Sequence, residues 1–453
     1  MKNKLRRFIR RSTSNALLVI ALGFAGIILL GSLLLALPCA TRSGQSIGWF
    51  DGLFTSTSAV CVTGLIVRDT GTTFSLFGKV VLLCLIQVGG LGFMTFATMI
   101  MRLLGRSISL RDRMIIRESM NEEGVGGMVA LAGWVARSAF IVELAGAFAL
   151  SFRFVPQFGW IRGLGYSLFH AVSAFCNAGF DLFGNYASLT GYCGDLLINL
   201  SVMALIIIGG LGFGVLRNIL SLRRGGHLRL QTRLVLATYG LLTAFGFVFT
   251  LLAEWNNPLT LGSLPMGEKL LAALFQSVTL RTAGFNTIDQ AALRPVSKLV
   301  GSLLMVVGAS PASTGGGIKV TTLAVVILAV CATVQGRNGI VVFRRSLSDR
   351  LVRRALAVMS IAVLVMLFDA VAISLMQPEL EFMDVLFECA SAIGTVGVSA
   401  FGSAQLNTIA RILIICTMYI GRIGPLTMAL VLAHRQNGSE DRLQYPEDSI
   451  MIG

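Results

Sequence analysis

Four short stretches of the sequence join a Leu-Phe pair to a closing glycine through small residues rich in Ser, Thr and Ala. They cover residues 53–64, 168–179, 274–284 and 386–397, and their glycines recur about every 105 to 115 residues. A glycine allows backbone angles that expose successive carbonyl oxygens along one line. Four such strands around one axis would present rings of carbonyl oxygens that can replace the hydration shell of a cation. The spacing therefore predicts a cation filter made by one chain.

The last three residues of each stretch are the predicted cation ligands. They are Val62, Thr63, Gly64, Asn177, Ala178, Gly179, Thr282, Ala283, Gly284, Thr395, Val396 and Gly397. The alternative is that each stretch is only a buried packing element of a transporter, but four copies on one period favour the filter. Each strand has a single glycine, and the third stretch is one residue shorter. We therefore expect fewer carbonyl rings than in a potassium channel, and a modest preference for K⁺ over Na⁺.

Composition indicates a membrane protein. Of 453 residues, 55% are hydrophobic and 13% are charged, and the mean hydropathy is +0.79. The formal net charge of +15 comes from basic clusters between apolar runs, which is a pattern typical of membrane topology. Lipid binding by these clusters is an alternative, and no nucleic-acid partner is predicted. Eight cysteines without a C-x-x-C pair and three dispersed histidines indicate neither a disulfide framework nor a zinc site.

Eight apolar runs are long enough to cross a bilayer. They lie at 16–37, 76–104, 128–152, 196–220, 234–253, 296–334, 355–376 and 409–433. Each glycine-ended stretch lies between two runs and is too short to cross, so it must be a re-entrant pore helix followed by a filter strand. The predicted fold is an all-α integral membrane protein with four pseudo-repeats around one pseudo-fourfold pore. The predicted repeats are 1–120, 121–228, 229–346 and 347–453, the last including a C-terminal tail.

Arginine and lysine clusters give the orientation. They occur at the N-terminus and in the three linkers between repeats, whereas the loops inside each repeat hold few. Both termini and the linkers are therefore expected in the cytoplasm, with the pore helices entering from outside. Asp51 and Asp384 each stand three residues before a pore-helix phenylalanine. A carboxylate there suits the positive end of a helix dipole, which leaves the partly negative end pointing at the ion path.

The second helices carry further motifs. Gly89 to Phe93 and Gly209 to Phe213 both read Gly-Gly-Leu-Gly-Phe, which predicts close helix packing. At the same level in repeat three, proline and three consecutive glycines should break the helix into a loop below the filter, with a passive kink as the alternative. This loop is the predicted gate, and its residues are Gly308, Ala312, Ser313, Thr314, Gly315, Gly316, Gly317 and Lys319.

Arg422 stands at that level in repeat four, where a charge inside the membrane is costly and usually functional. It could form an electrostatic barrier in the ion path, or pair with the loop. The alternative is a structural ion pair with a carboxylate such as Glu143 or Asp369. Arg281, which begins filter stretch three's closing tetrapeptide, is expected to brace the hairpin through backbone carbonyls. His170, Glu388 and Cys61 can be satisfied by local contacts.

No enzyme motif is present: the chain lacks a Walker A loop, a dinucleotide fingerprint, H-E-x-x-H and a nucleophile elbow. A membrane-embedded lipid enzyme would need a polar catalytic cluster at one membrane face, which the sequence does not show. A scaffold would not need four glycine-ended stretches in register. The sequence therefore favours transport, with a sodium or unselective monovalent cation translocator as the alternative to a potassium translocator.

The ordered motifs V-T-G, N-A-G, T-A-G, T-V-G, A-S-T-G-G-G-I-K and I-G-R-I-G-P resemble the Trk/Ktr/HKT superfamily of cation translocators over nearly the whole chain. Because the chain begins directly with the first repeat, it looks most like the membrane subunit of bacterial Ktr systems. The resemblance implies K⁺ as the transported ion, often with stimulation by Na⁺. It also implies that the filter glycine Gly64 matches the potassium-permeable pattern, that the loop is the family's gate, and that Arg422 is its pore arginine.

The same resemblance implies partners and a location. It predicts a homodimer with one pore per subunit in the bacterial inner membrane. It also predicts a cytoplasmic ring of nucleotide-binding, RCK-type regulatory subunits, docked on the arginine-rich linkers and the C-terminal tail. No cofactor is expected on this chain itself.

Overall fold

The computed structural model describes residues 2–92, 127–222, 225–337, 339–343 and 345–425, together with the single positions 95, 96, 98, 99, 114, 427 and 428. Several parts of the predicted docking surface lie outside these residues. They are Arg102, Arg106, Arg111, Arg113, Arg117, Arg223, Arg224, Arg344 and the tail from residue 429.

The helices follow one another in four similar groups. The first is α1 (Lys2–Ala36), α2 (Trp49–Val60), the short α3 (Thr70–Thr73) and α4 (Leu76–Leu91). The second is α5 (Met128–Phe158), α6 (Trp160–Phe175), α7 (Leu196–Leu211) and α8 (Phe213–Leu222). The third is α9 (Leu230–Glu254), α10 (Met266–Thr279), α11 (Pro295–Val306) and α12 (Val320–Val334). A small antiparallel hairpin, β1 (Ile340–Val342) and β2 (Arg345–Leu347), precedes α13 (Asp349–Met376), α14 (Phe382–Gly394) and α15 (Thr408–Ile423).

Within the described residues, four helices are long and apolar enough to cross a membrane by length and composition: α1 (from Leu17), α5, α9 and α13. They correspond to the first apolar run of each predicted repeat. Three of the second runs differ from the prediction, because the helices α4, α7 and α15 end at Leu91, Leu211 and Ile423, whereas a break in the third run was predicted. The helix α7 ends at Leu211 and α8 leaves at a bend of 98°. The predicted run 296–334 is divided into α11 and α12 by the loop between them.

Below, α2, α6, α10 and α14 are called the pore helices, and α4, α7, α11 and α15, which begin the second apolar runs, are called the second helices. Glycine explains where three of the second helices end. α4, α7 and α15 are each followed by a glycine with positive φ, at Gly92, Gly212 and Gly424. A left-handed residue after a helix stops it at no steric cost when it is glycine. Earlier glycines allow close packing, as predicted for Gly89 and Gly209: at these two and at Gly421, an added Cβ would overlap a carbonyl oxygen at the end of the adjacent pore helix. The apolar run therefore continues in the sequence, but the helix does not.

The groups contact one another in a closed cycle. Each second helix packs on the pore helix of the next group: α4 on α6, α7 on α10, α11 on α14, and α15 back on α2. Two of these contacts carry ion pairs to the first turn of a pore helix. Lys298 Nζ lies 2.5 Å from Asp384 Oδ1, and Arg411 Nη1 lies 3.1 Å from Asp51 Oδ1. The two acidic residues thus fix their pore helices to the preceding group.

Candidate cation pore and its loop

The four predicted filter strands meet through their glycines. A Cβ added at Gly64 would lie 2.5 Å from the Ala178 carbonyl oxygen, and one at Gly179 would lie 2.9 Å from that of Ala283. Continuing in the same direction, a Cβ at Gly284 would lie 2.7 Å from the Val396 carbonyl oxygen. One at Gly397 would overlap the carbonyl oxygen of Thr63. Each glycine therefore faces the carbonyl that precedes the next glycine, and the order closes on itself around the four strands.

All four strands share one backbone pattern. The residue two places before each glycine has positive φ: 57° at Val62, 59° at Asn177, 64° at Thr282 and 50° at Thr395. The glycines that follow also have positive φ, between 70° and 101°. Left-handed angles are rare for residues with a side chain, and they persist only where the surroundings hold them. The shared pattern places this backbone among the constrained segments that occur at functional sites.

A hydroxyl residue in each pore helix supports its strand. Ser58 and Ser391 Oγ accept hydrogen bonds from the amides of Gly64 and Gly397, at 3.0 and 2.9 Å. In the second strand, Ser173 Oγ donates to the Phe180 carbonyl at 2.7 Å. Thr279 makes the equivalent bond to the Phe285 carbonyl. The sequence reading missed these residues individually, although a Ser or Thr five or six places before each glycine was a visible signal.

Polar residues directly after the pore-helix phenylalanines fix the loops that follow the predicted filter strands in three groups. His170 Nε2 accepts from the Leu182 amide at 3.3 Å, and Gln276 and Gln290 exchange side-chain hydrogen bonds at 2.7 and 3.0 Å. Glu388 accepts from the Ser403 hydroxyl. The prediction that His170 and Glu388 can be satisfied locally agrees with these contacts for His170 and in part for Glu388, whose Oε2 has no hydrogen-bond partner among the described residues. Each of these hydrogen bonds anchors the loop that follows its predicted filter strand.

The predicted gate loop is a compact segment between α11 and α12. Its backbone bonds to the ends of two other second helices: Ser310 N donates to the Gly210 carbonyl at 3.0 Å, and Gly317 N to that of Gly421 at 3.2 Å. Lys319 Nζ donates to the Gly315 carbonyl at 2.9 Å, which closes the loop on itself. The loop also touches the filter strands, since an added Cβ at Gly315 or Gly316 would overlap Thr282 or Thr395. The broken third helix thus lies directly beside the strands.

Arg422 ties this loop to the first group. Its guanidinium donates to the carbonyls of Thr314 and Gly89, and to that of Gly90 at 3.3 Å. Neither predicted carboxylate partner is used in the described part of the chain. Glu143 accepts from Gln87 Nε2 at 2.9 and 3.1 Å, and Asp369 accepts from the Thr417 hydroxyl. Among the described residues, Arg422 therefore pairs with carbonyls at broken helix ends and not with Glu143 or Asp369.

Arg281 directs its side chain to α9, where it donates to Tyr239 and Thr243. It is 1% exposed, stacks on Tyr239 at 3.4 Å from the ring centroid, and donates to the Tyr239 carbonyl at 2.7 Å. We expect Arg281→Ala to destabilise the fold by about 3 kcal/mol, because it opens a cavity beside Tyr239 and removes a hydrogen bond from a charged group. Thermal unfolding in detergent measures this loss. Arg281→Lys should recover part of it, and a melting temperature unchanged in Arg281→Ala would contradict the bracing role.

Comparison with known proteins identifies the family. Residues 19–442 match the family described as TrkH, cation transport protein. The chain is 41% identical to "Ktr system potassium uptake protein B" of Bacillus subtilis, over 96% of both chains. It is 38% identical to "Potassium/sodium uptake protein NtpJ" of Enterococcus hirae, again over 96% of both. The crystal structure of the potassium transporter TrkH from Vibrio parahaemolyticus has the same fold, with a TM-score of 0.71 at 20% identity, covering 92% of this chain and 85% of that one.

These similarities confirm the resemblance seen in the motifs, and with it transport in place of enzyme activity, since the matched relatives are uptake proteins. The helical architecture and the apolar helices agree with a membrane location. The chain belongs to the TrkH family of cation transport proteins.

Proposed function

We propose that this chain is the membrane subunit of a potassium uptake system and that K⁺ passes between its four filter strands. The observation that carries the proposal is the closed order in which each filter glycine faces the carbonyl before the next glycine. Carbonyl oxygens from four strands around one axis can replace the water around a dehydrated K⁺. The names of relatives from Bacillus subtilis and Vibrio alginolyticus, both potassium uptake proteins, support K⁺ as the ion.

The alternative is a sodium or unselective monovalent cation translocator. The Enterococcus hirae relative, named for both potassium and sodium uptake, favours this reading. So does the single glycine in each strand. Stimulation of K⁺ uptake by Na⁺ would fit the same name without Na⁺ being the main transported ion.

The proposed gate is the loop from Gly308 to Lys319, held closed in part by Arg422. Its contacts with the helix ends and with two filter strands support this role. A cation leaving the strands would meet the loop next. Movement of the loop, with loss of the Arg422 contacts, would then open the path.

The wider architecture is proposed from the sequence and the family. We propose four repeats at 1–120, 121–228, 229–346 and 347–453, with eight spans, four re-entrant pore helices and both termini in the cytoplasm. We also propose a homodimer in the bacterial inner membrane with a ring of nucleotide-binding, RCK-type regulatory subunits. The relatives named as parts of a "Ktr system" support a multicomponent assembly.

Uptake of radioactive rubidium into liposomes that hold the purified protein tests the function. We expect uptake driven by an outward K⁺ gradient, blocked by external K⁺ at lower concentration than by Na⁺. Protein-free liposomes are the control. Equal block by both ions would favour the unselective alternative. Absence of uptake, also when the regulatory subunit from the same system is added, would contradict the proposal.

A further inference from the structure

Side chains of the loop and of the filter form one buried hydrogen-bonded chain. The single Thr314 hydroxyl hydrogen is shared between Asn177 Oδ1 and the Phe175 carbonyl, each 3.1 Å from the hydroxyl oxygen. Asn177 Nδ2 in turn donates to Thr282 Oγ1 at 3.1 Å. Thr314, Asn177 and Thr282 are completely buried. The loop is therefore linked to the second filter strand, and through Asn177 to the third.

A separate contact links the loop to the fourth strand. The Gly316 amide donates to Thr395 Oγ1 at 3.0 Å, and Thr395 is also completely buried. The first strand has valine at the equivalent place, Val62, which offers no polar group. Three of the four strands are thus tied to the loop or to one another at the same position, two residues before the glycine.

These tied positions are also the left-handed ones. Asn177, Thr282 and Thr395 have φ of 59°, 64° and 50°. Such angles persist only where neighbouring groups hold them. The loop contacts supply part of that support, because each fixes the side chain of a left-handed residue. If the loop moves away, the hydroxyl of Thr314 and the amide of Gly316 go with it, and the strands lose these contacts.

We propose that the loop sets the ion preference of the filter, with Asn177 and Thr395 as positioning residues, in addition to obstructing the path. This inference rests on the proposed cation pore. Discrimination between K⁺ and Na⁺ depends on how the strands hold their carbonyls. With the loop in place the strands are held in the observed conformation, and with the loop displaced they relax and accept Na⁺ more readily. Because coupling between two sites is reciprocal, K⁺ in the filter also stabilises the closed loop.

Thr314→Val and Thr395→Val test this coupling. Valine keeps the shape of threonine and removes the hydroxyl, and the Thr314 carbonyl that Arg422 contacts is retained. Rubidium uptake in liposomes, competed by K⁺ and by Na⁺, should show a loss of K⁺ over Na⁺ preference of about fivefold in each variant, within the usual range of coupling between sites. Thr333→Val is the matched control, because among the described residues its hydroxyl bonds only to the Ala329 carbonyl of its own helix, at 2.9 Å. It should behave as the unaltered chain does.

Thermal unfolding gives a second readout that does not require transport. In the unaltered chain, K⁺ should raise the melting temperature more than Na⁺ does, since it binds the folded filter more tightly. In Thr314→Val and Thr395→Val this difference should shrink. If both variants transport faster with an unchanged preference for K⁺ over Na⁺, the proposed coupling is wrong, whereas the proposed gate is not contradicted. An unaltered chain without any K⁺ preference would instead contradict the proposed function. If one variant fails to fold, the other decides.

Discussion

Replacing Gly64 with serine is expected to lower the preference for K⁺ over Na⁺ about tenfold, which corresponds to about 1.4 kcal/mol. A Cβ there would lie 2.5 Å from the Ala178 carbonyl oxygen and 3.3 Å from the Cα atoms of Gly179 and Gly397. Gly64 also has a φ of 95°, which residues with a side chain rarely adopt. Both effects displace the carbonyl facing Gly64 and disturb the ring it belongs to. Rubidium uptake competed by K⁺ and Na⁺ measures the change.

Gly165→Ser is the matched control for this prediction. Gly165 lies in the pore helix α6, and a Cβ there meets no atom within 4 Å. This variant should keep the ion preference of the unaltered chain. If Gly64→Ser transports with unchanged ion competition, the assignment of Val62, Thr63 and Gly64 to the filter is wrong, and the strands serve only packing.

The pore helices could be predicted from the sequence because their signal is local. Small residues, a fixed length and a closing glycine appear together in each copy, and the structure places a helix in each predicted stretch: α2, α6, α10 and α14. The backbone conformation of the strands could not be predicted in the same way. Nothing in the sequence around Val62 or Thr395 predicts a left-handed conformation, which valine and threonine disfavour. Contacts from distant parts of the chain hold these angles, and a local pattern does not contain them.

The second helices show a different limit of prediction from the sequence. Hydropathy predicted long spans because the apolar residues continue past Gly92 and Gly212. The structure ends α4 and α7 at these glycines. Hydropathy reports which residues tolerate an apolar environment, whereas the end of a helix depends on the backbone angles of one or two residues. The interruption of the third helix was predictable, since proline and three glycines are incompatible with a stable helix interior.

The sequence predicted that Arg422 could pair with the loop, and its contact with the Thr314 carbonyl agrees with that, but the alternative partners that were named are not the ones it uses. Carboxylates inside apolar runs were considered because opposite charges pair in a membrane. The structure instead gives Arg422 the carbonyls of Thr314 and Gly89. Carbonyls at the ends of broken helices also accept hydrogen bonds, and the guanidinium has five donors to share among them. The break in the third helix was predicted, and with it an acceptor for Arg422 in the loop, whereas the end of α4 and the contact to the Gly89 carbonyl were not.

Arg422→Ala is expected to raise the basal cation flux about tenfold. Hydrogen bonds from a charged group each contribute about 1.5–3 kcal/mol, and the loss of about 1.4 kcal/mol from the closed loop makes its open state tenfold more populated. Arg422 connects the Thr314 carbonyl of the loop to the Gly89 carbonyl of α4, so its removal frees the loop from the first group. Rubidium flux into liposomes at equal protein density gives the effect. Unaltered flux with a lower folding yield would show that Arg422 only stabilises the fold.

Arg422→Lys separates the two ways in which this arginine can restrict the pore. Lysine keeps the positive charge but lacks the planar fork that reaches several carbonyls at once. If Arg422 is an electrostatic barrier, Arg422→Lys should keep the low flux. If Arg422 acts by tying the loop to α4, as its contacts favour, Arg422→Lys should conduct almost as fast as Arg422→Ala.

Deleting residues 312–317 should also raise the flux. Combined with Arg422→Ala, the deletion should add little, because changes that act on one element are not additive. Additive increases would mean that the arginine and the loop restrict the pore independently.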